Sequence, residues 1–565
     1  MSPTSSTLTL LHCVLLGAGA LLYLSFGYTE MAGSDMWWHL AAGRELLQTG
    51  SLWMVDDWSF SHHGADWLNH EWLADLIYYA WVSWFGLHSI VYWKWLVVIA
   101  TFLLLQCALY REGGNAIAAF LAAAIAAAIA APFIDVRPHL YTLFFYCLLL
   151  YLLLGRPPVR WMLALLFLVW VNLHGGFFFG LMALGILVFP WRNVSADSLR
   201  VALFTGLLCV AACALNPSGV KTFLYPLVYA FDSSSPYRGL GEWHSPFSDG
   251  GIRSPLFFYF MWAPLLAVLY ALPRIRNITG VPWEGIALTA LTLAMALTSR
   301  RFIPLFGISL AVLLVPLLAA FCAQIHKPVL RYAVAAVALA FALLRLAPYP
   351  LQAAPAFHYL TAEYSYPEDT VSFLQANNLT GNVYAYYNWG GYLHWRTDGD
   401  LKVFIDGRAD TVYDAEAYYS YVQVLAGSPG WVESVEASGA DFMLWPYALR
   451  GGQLKLQELL GTGRWRALYQ DSVSWVAIRK SVAPPSLPVE PPTSALRTLT
   501  RAMVLYRRGE FDASLAAVRE VRQSIPWQKT ACQLHAEMLR AAARPADAAD
   551  VLWQCYDYFP TRLLR

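Results

Sequence analysis

Residues 34–73 read SDMWWHLAAGRELLQTGSLWMVDDWSFSHHGADWLNHEWL. The stretch is too polar to lie in lipid and far longer than a turn. It carries Asp35, Glu45, Asp56, Asp57, Asp66 and Glu71, interleaved with His39, His62, His63 and His70. Trp37, Trp38, Trp53, Trp58, Trp67 and Trp72 lie among them. Acids and imidazoles fixed among aromatics at a membrane surface point to a reaction site. The plainer alternative is an interfacial loop whose tryptophans anchor it in the headgroups.

On either side of this stretch the chain is apolar. Of 565 residues, 58% are hydrophobic and 13% charged, against roughly 25% charged in an ordinary soluble domain. Mean hydropathy is +0.46. The composition is that of an integral membrane protein with soluble mass attached. A net charge of +1 implies no polyanionic partner and speaks against nucleic acid. The first apolar segment lacks a small-residue cleavage site and reads as a retained signal anchor.

Eleven segments are apolar enough to span: Leu8–Tyr28, Ile90–Tyr110, Ala116–Phe133, Tyr141–Leu154, Trp161–Leu173, Phe177–Pro190, Val201–Leu215, Leu256–Leu272, Trp283–Thr298, Phe302–Cys322 and Ala333–Leu346. Trp72–Phe85 suits an amphipathic helix lying in the interface. With the N-terminus in the cytoplasm, the cytoplasmic loops carry Arg111; Arg156 and Arg160; Arg192 and Arg200; Arg274 and Arg276; Lys327 and Arg331. That is the positive-inside pattern. The stretch 34–73 and everything after Pro348 then fall on the opposite side.

The other outer loops hold IDVRPH (134–139), NLHGG (172–176), NPSGVK (216–221), GEWHSPFSD with Glu242 and His244, and SRR (299–301). Arg137, His139, His174, Lys221, Glu242, Arg300 and Arg301 thus face one side together with the first-loop acids. Charges at helix ends are costly unless they line a wet cavity. A cavity acidic on one wall and basic on the other suits a lipid phosphate and a hydroxyl to be deprotonated. For each residue taken singly, snorkelling to the headgroups is the competing reading.

Composition shifts at Pro348. Residues 366–480 alternate helix and strand patterns, and RWRALYQDSVSWVAIRK closes them as a hairpin. Two sites there look like turns: Trp389-Gly390-Gly391-Tyr392, and Asp406-Gly407-Arg408-Ala409-Asp410. They either present side chains toward the membrane face, or are a glycine turn and an internal Asp406–Arg408 pair. Residues 481–494, SVAPPSLPVEPPTS, are a linker. Beyond it, two helix pairs resemble tetratricopeptide repeats, with Asp512 and Asp547 about 35 residues apart. Six of the eight cysteines sit in or beside apolar helices, where packing explains them. Cys532 and Cys555 are free to pair if their region is extracytoplasmic. Neither a phosphate loop, nor H-E-x-x-H, nor G-x-S-x-G occurs, so a nucleotide-driven pump and a zinc protease have no support.

The layout resembles the GT-C superfamily of membrane glycosyltransferases. Asp35 in SDMWWHL, followed by VDDWSF and NHEWL, matches their large first outer loop with an acid just after the first span. VRPHLYTLF, WVNLHGGFFFGL, LNPSGVKTF, GEWHSPF, SRRFIPLF, YYNWGGYLHW and KVFIDGRAD are similar to the recurring phrases of bacterial GT-C-like proteins, over residues 1–480. The resemblance implies a polytopic α-helical membrane protein of about eleven spans with a C-terminal α/β domain. Its parts are a transmembrane domain (1–348, first outer loop 29–87), an extracytoplasmic α/β domain (349–480), a linker (481–494) and short helical repeats (495–565). It implies an inverting transferase in the bacterial inner membrane, with its C-terminal domains in the periplasm. Its donor would be a polyprenyl-phosphate sugar, and its acceptor a glycan, lipid or protein.

Asp35 then takes the place of the general base, with Asp56, Asp57 or Glu71 as a second acid. Arg137, Lys221, Arg300 and Arg301 would meet the lipid phosphate. His39, Arg44, His70, His139, His174, Glu242, Trp389, Asp406 and Arg408 complete the expected binding set. A divalent cation, Mg or Mn, is optional, held by Asp35, Asp57 or Glu71. Asp35 lacks the second acid of a D-x-D pair, and YNWGGYL lacks the Asp of the oligosaccharyltransferase WWDYG motif. The alternative to an enzyme is a scaffold that binds lipid-linked glycan and recruits a protein partner through its repeats.

Overall fold

The computed structural model describes residues 10–29, 35–157, 159–231, 235–271, 281–361, 366–447, 451–487, 489, 493–526 and 528–556. Leu8, Ser34, Leu272, Arg274, Arg276 and linker residues 488 and 490–492 lie outside them. The helices of the first part are α1 (Leu10–Phe26), α2 (Asp35–Thr49), α3 (Trp72–Phe85), α4 (Ile90–Gly113), α5 (Ala116–Ala130), α6 (His139–Leu153), α7 (Arg160–Val171), α8 (Phe177–Val188), α9 (Ala196–Cys213), α10 (Val220–Phe231), α11 (Pro255–Phe260), α12 (Ala263–Ala271), α13 (Trp283–Thr298), α14 (Ile303–Cys322) and α15 (Pro328–Leu346). Each of the eleven predicted apolar segments contains helix. Among the described residues five stretches, Leu87–Gly113, Ala116–Phe133, Ala196–Cys213, Arg300–Cys322 and Pro328–Leu346, are long and apolar enough to cross a membrane. The predicted segment at 256–272 is broken into α11 and α12, and α10 lies in what the sequence presents as a loop.

Local chemistry sets the boundaries. Gly114, left-handed at φ 63°, ends α4, and the Asn115 side chain accepts from Ile117 N and Ala118 N to start α5. The alanine-rich α5 sits at the centre, against α14, α4 and α1. Its small side chains admit close packing, and a Cβ on Gly307 of α14 would lie 3.1 Å from the Ala126 carbonyl. Arg111, Glu112, Arg192 and Glu284 meet at one end of the bundle, where Arg192 grips Glu284 at 2.5 Å. Asp35, Arg137, His174 and Arg301 belong to the other end.

At that second end sits a mixed sheet. Its strands are β3 (Gly381–Ala385), β4 (Leu401–Val403), β5 (Phe442–Pro446), β6 (Trp465–Gln470) and β7 (Ser474–Arg479), after a short hairpin of β1 (Met54–Val55) and β2 (Asp66–Trp67) in the first loop. Sheet order is β4-β3-β5-β7-β6, parallel at β4-β3-β5 and antiparallel beyond. The predicted closing hairpin is β6–β7. Helices α16 (Ala353–Thr361), α17 (Glu368–Ala376), α18 (Gly390–Thr397), α19 (Ala415–Ala426), α20 (Trp431–Ala437) and α21 (Gly452–Gly461) flank or join these strands. Four more, α22 (Ala495–Arg507), α23 (Phe511–Ser524), α24 (Lys529–Ala541) and α25 (Pro545–Tyr556), form two packed pairs. Cys532 and Cys555 are disulfide-bonded across the second pair.

The first loop is part of this sheet unit. Val403 N donates to Trp58 O and Phe60 N donates to Val403 O, both at 3.0 Å, so residues 58–60 extend the β4 edge. The segment Trp389-Gly390-Gly391-Tyr392 is not a turn. It starts α18, which lies directly on α2. A Cβ on Gly391 would fall 2.7–3.1 Å from Trp38 atoms, backbone included. Glycine is there for close approach.

Candidate functional site

Helix α2 carries Asp35 in its first turn and His39 one turn later. Helix α3 begins at Glu71, its N-cap, and places Asp75 one turn further on the same face. The two helices touch because residue 43 is glycine: a Cβ there would lie 2.1 Å from the Asp75 carbonyl oxygen. Between them His39 Nδ1 meets Asp75 Oδ1 at 2.6 Å, and Asn69 Nδ2 donates to Asp75 Oδ2 at 2.8 Å. His39 Nε2 faces Glu71 Oε2 at 3.8 Å.

The α7–α8 hinge closes the opposite side. Trp72 Nε1 donates to Asn172 Oδ1 at 2.9 Å, and Leu73 N to the Asn172 carbonyl at 3.2 Å, which ties α3 to NLHGG. His174 Nε2 then lies 3.6 Å from Glu71 Oε1, and His70 Nε2 3.9 Å from the same oxygen. Gly176 N donates to His174 Nδ1 at 3.0 Å, and Thr142 Oγ1 lies 2.7 Å from that nitrogen. A Cβ on residue 176 would collide with Thr142, so this glycine also serves close approach.

Burial pushes the Glu71 carboxyl up to about 7; His39 and Arg137 oppose this, Asp75 and Asp35 reinforce it. Burial raises Asp75 as well. It lowers His70 to about 4 and holds His174 well below the ordinary imidazole value.

Beside these groups lies a chain of alternating charge. Arg137 pairs with Asp35 and, at 2.9 Å, with Glu242 Oε2; Arg301 reaches Glu242 Oε1 at 3.4 Å. Burial opposes charge on Arg137, but Asp35, Glu242 and Asp135 hold its pKa well above the usual value. Burial likewise disfavours the Glu242 carboxylate, yet Arg137 and Arg301 hold it down to about 2. Arg301 also stacks on Trp243, 4.0 Å from the ring centre. His139, bonded to the Phe133 carbonyl at 2.8 Å, stands near Arg137 and Arg301. Asp35, His39, His70, Glu71, Arg137, His139, His174, Glu242 and Arg301 therefore share one neighbourhood. It is acidic along α2 and α3 and basic along the loops at 137 and 301.

The other expected site residues are placed elsewhere. Asp56 is fully buried: it accepts from Trp58 N, Ser59 N and Ser59 Oγ and pairs with Arg408 Nη2 at 2.7 Å. Arg408 also grips Asp406 at 2.8 Å and lies against the Trp58, Trp67 and Tyr413 rings. Asp56, Asp406 and Arg408 thus join the loop to the sheet unit; the internal Asp406–Arg408 pair is what occurs. Asp57 points outward, 3.9 Å from Lys402. Arg44 pairs with Asp398 at 3.0 Å and binds carbonyls at the end of α18. Lys221 is exposed, with Trp53 the ring beneath it at 5.8 Å. The Arg300 guanidinium is taken up by the carbonyls of His244, Ser245, Ser248 and Gly250. Trp389 is packed in the core.

The groups proposed for a divalent cation do not fit one. Asp57 faces away, Asp35 is closed on Arg137, and Glu71 faces three imidazoles at distances beyond ligation. Among the described residues no group of three or more His, Cys, Asp or Glu is arranged to hold a metal. Asp75 and Asn69 are the site residues that the sequence reading passed over. An acid inside the apolar run WLADLIYYAW was the available signal. No family model matches the chain, and no curated protein matches it.

Proposed function

We propose that the chain is a membrane glycosyltransferase of GT-C type, with about eleven spans, set in the bacterial inner membrane. It would move a sugar from a polyprenyl-phosphate donor to a hydroxyl of a glycan, lipid or protein on the outer side. The supporting observation is the convergence of first-loop carboxylates with Arg137 and Arg301 at one end of the helices, beneath the sheet unit. The Cys532–Cys555 disulfide supports an oxidising compartment for the C-terminal helices, on that same outer side.

In this reading the acceptor oxygen bonds to the anomeric carbon as the carbon–oxygen bond to phosphate breaks. The electron pair leaves on the lipid phosphate, opposite Arg137 and Arg301, which favour its charge. The hydroxyl proton goes to a first-loop carboxylate, Asp35 or Glu71. Attack opposite the leaving group inverts the anomeric centre. The reading is tested by transfer from a panel of radiolabelled polyprenyl-phosphate sugars, comparing wild type with Asp35→Asn. Transfer by the wild type supports it, and a collapse in the variant puts Asp35 at the reacting centre. No transfer from any donor, with tight donor retention, favours a glycan-binding assembly protein. The closure of Arg137 on both Asp35 and Glu242 supports that second reading.

A further inference from the structure

Glu71 faces the imidazole nitrogens of His39, His70 and His174. The nitrogens on its two sides differ in kind. As a carboxylate, Asp75 can only accept, and His39 Nδ1 then carries the hydrogen of that 2.6 Å contact. In the neutral ring His39 Nε2 is then a bare acceptor toward Glu71 Oε2. At His174 the order is reversed. The Gly176 N–H occupies Nδ1, so Nε2 carries the hydrogen and faces Glu71 Oε1. The two rings are oriented by backbone and buried side chains, and the His39 ring lies between Trp38 and Tyr78. The gaps of 3.6–3.8 Å to Glu71 are of the kind that tighten when a substrate arrives.

We propose that Glu71 accepts the proton of the acceptor hydroxyl and passes it to His39 Nε2, and that Asp75 is the positioning residue that keeps His39 in the receiving tautomer. The hydroxyl O–H breaks and a Glu71 O–H forms. That proton then moves to His39 Nε2, and the imidazolium is paired with Asp75. No electrons are exchanged, and the proton returns to solvent through Glu71 before the next turnover. His174 holds the other Glu71 oxygen. A carboxyl whose pKa is pushed up to about 7 is matched to this exchange near neutral pH. The groups facing it are His39 from α2, Asp75 from α3, His70 from the loop before α3, and His174 from the α7–α8 hinge, with Asp35 and Arg137 acting from further off. The identity of the hydroxyl's partner rests on the glycosyl-transfer reading; the relay is a property of the side chains themselves.

The test combines infrared titration of the purified full chain with the transfer assay. In the wild type the carbonyl stretch of a protonated carboxyl is lost with a midpoint near pH 7, and Glu71→Gln lacks that component. Asp75→Asn distinguishes a relay from mere packing. Asn69 donates to the 75 side chain, so the new amide turns its oxygen to Asn69 and its NH2 to His39 Nδ1. The His39 hydrogen is then forced to Nε2, where it donates to Glu71 and favours the ionised carboxylate. The Glu71 midpoint is expected to fall by about one pH unit, the lost Asp75 charge acting in the same direction as the tautomer change. Transfer kcat falls about 100-fold with donor KM within about twofold. A midpoint that stays or rises in Asp75→Asn, or a component near pH 7 that keeps its full amplitude in Glu71→Gln, overturns the relay. If the wild type transfers no label, the infrared titration alone decides the relay, and the failure belongs to the glycosyl-transfer reading.

Discussion

Arg408→Met tests the joint between the first loop and the sheet unit. Asp56, Asp406 and Arg408 are all essentially fully buried. One guanidinium serves both carboxylates, at 2.7 and 2.8 Å. Removing it strands two charges in a site walled by Trp58, Trp67 and Tyr413. Breaking a buried pair from one side costs about 3–5 kcal/mol. For a unit of this size that is a loss of roughly 6–20 °C in melting temperature. Trp58 and Trp67 border the guanidinium but are two of 24 tryptophans, so the melt is followed by the difference in emission between wild type and variant. The charge argument makes a second demand. With Asp56→Asn and Asp406→Asn already present, Arg408→Met no longer strands charge and costs less than half as much. A single variant that melts within about 2 °C of wild type would refute the reasoning. So would a cost that is the same in both backgrounds, because neighbours sharing one network must be non-additive.

Gly43→Ala puts a methyl 2.1 Å from the Asp75 carbonyl and 2.7 Å from Tyr79 Cβ. It is expected to lower stability by about 1–3 kcal/mol, whereas Gly17→Ala, which meets nothing within 4 Å, leaves the melt unchanged. The Glu71 carboxyl, at about 7 in the fold and about 4.3 unfolded, binds more protons folded, so its contribution to stability falls as pH rises between those values. Glu71→Gln therefore melts higher relative to wild type at pH 8 than at pH 5, by on the order of 3 kcal/mol; a difference independent of pH contradicts the assignment. Replacing Cys532 and Cys555 by serine opens a closure spanning 23 residues. It should cost the terminal helices about 3 kcal/mol, seen as earlier proteolysis of residues 495–556.

The apolar segments were legible because spanning length and hydropathy are a redundant signal: a few substitutions would not hide them. The placement of the individual first-loop acids was not. Asp56 and Asp57 are identical and adjacent in the sequence, yet one is fully buried and the other points to solvent. Between Met54 and Trp58 burial alternates residue by residue. That is strand periodicity, and it sends Asp56 inward and Asp57 outward. The partner that decides the matter, Arg408, lies some 350 residues on, and no local pattern links the two. Gly390-Gly391 carries a similar ambiguity. A glycine pair that permits a turn and one that permits two helices to touch read alike until the second helix is in place.

The same contacts that seat the sheet unit also place the groups proposed to react. Gly391 lies on Trp38, and a Cβ on Gly407 would meet both the Trp38 ring and Asp35 Oδ1, at 3.2 and 3.4 Å. The start of α2 is thus clamped between α18 and the 406–410 loop, with Arg408 locking that loop to Asp56. Asp35 and His39 are one turn apart on the clamped helix, and His39 meets both Glu71 and Asp75 of the α3 end. Loosening the clamp moves His39 relative to α3, whose own position is set by Asn172 and the His174 hinge. The sheet unit is therefore a wall of the site. On the glycosyl-transfer reading, a variant that unseats it, such as Arg408→Met, should lower transfer even at temperatures where the helices remain folded. A variant confined to the terminal helix pairs, such as the Cys532/Cys555 double serine, should leave transfer intact. If both variants lowered transfer equally, the dependence would lie in overall stability and not in the clamp on α2.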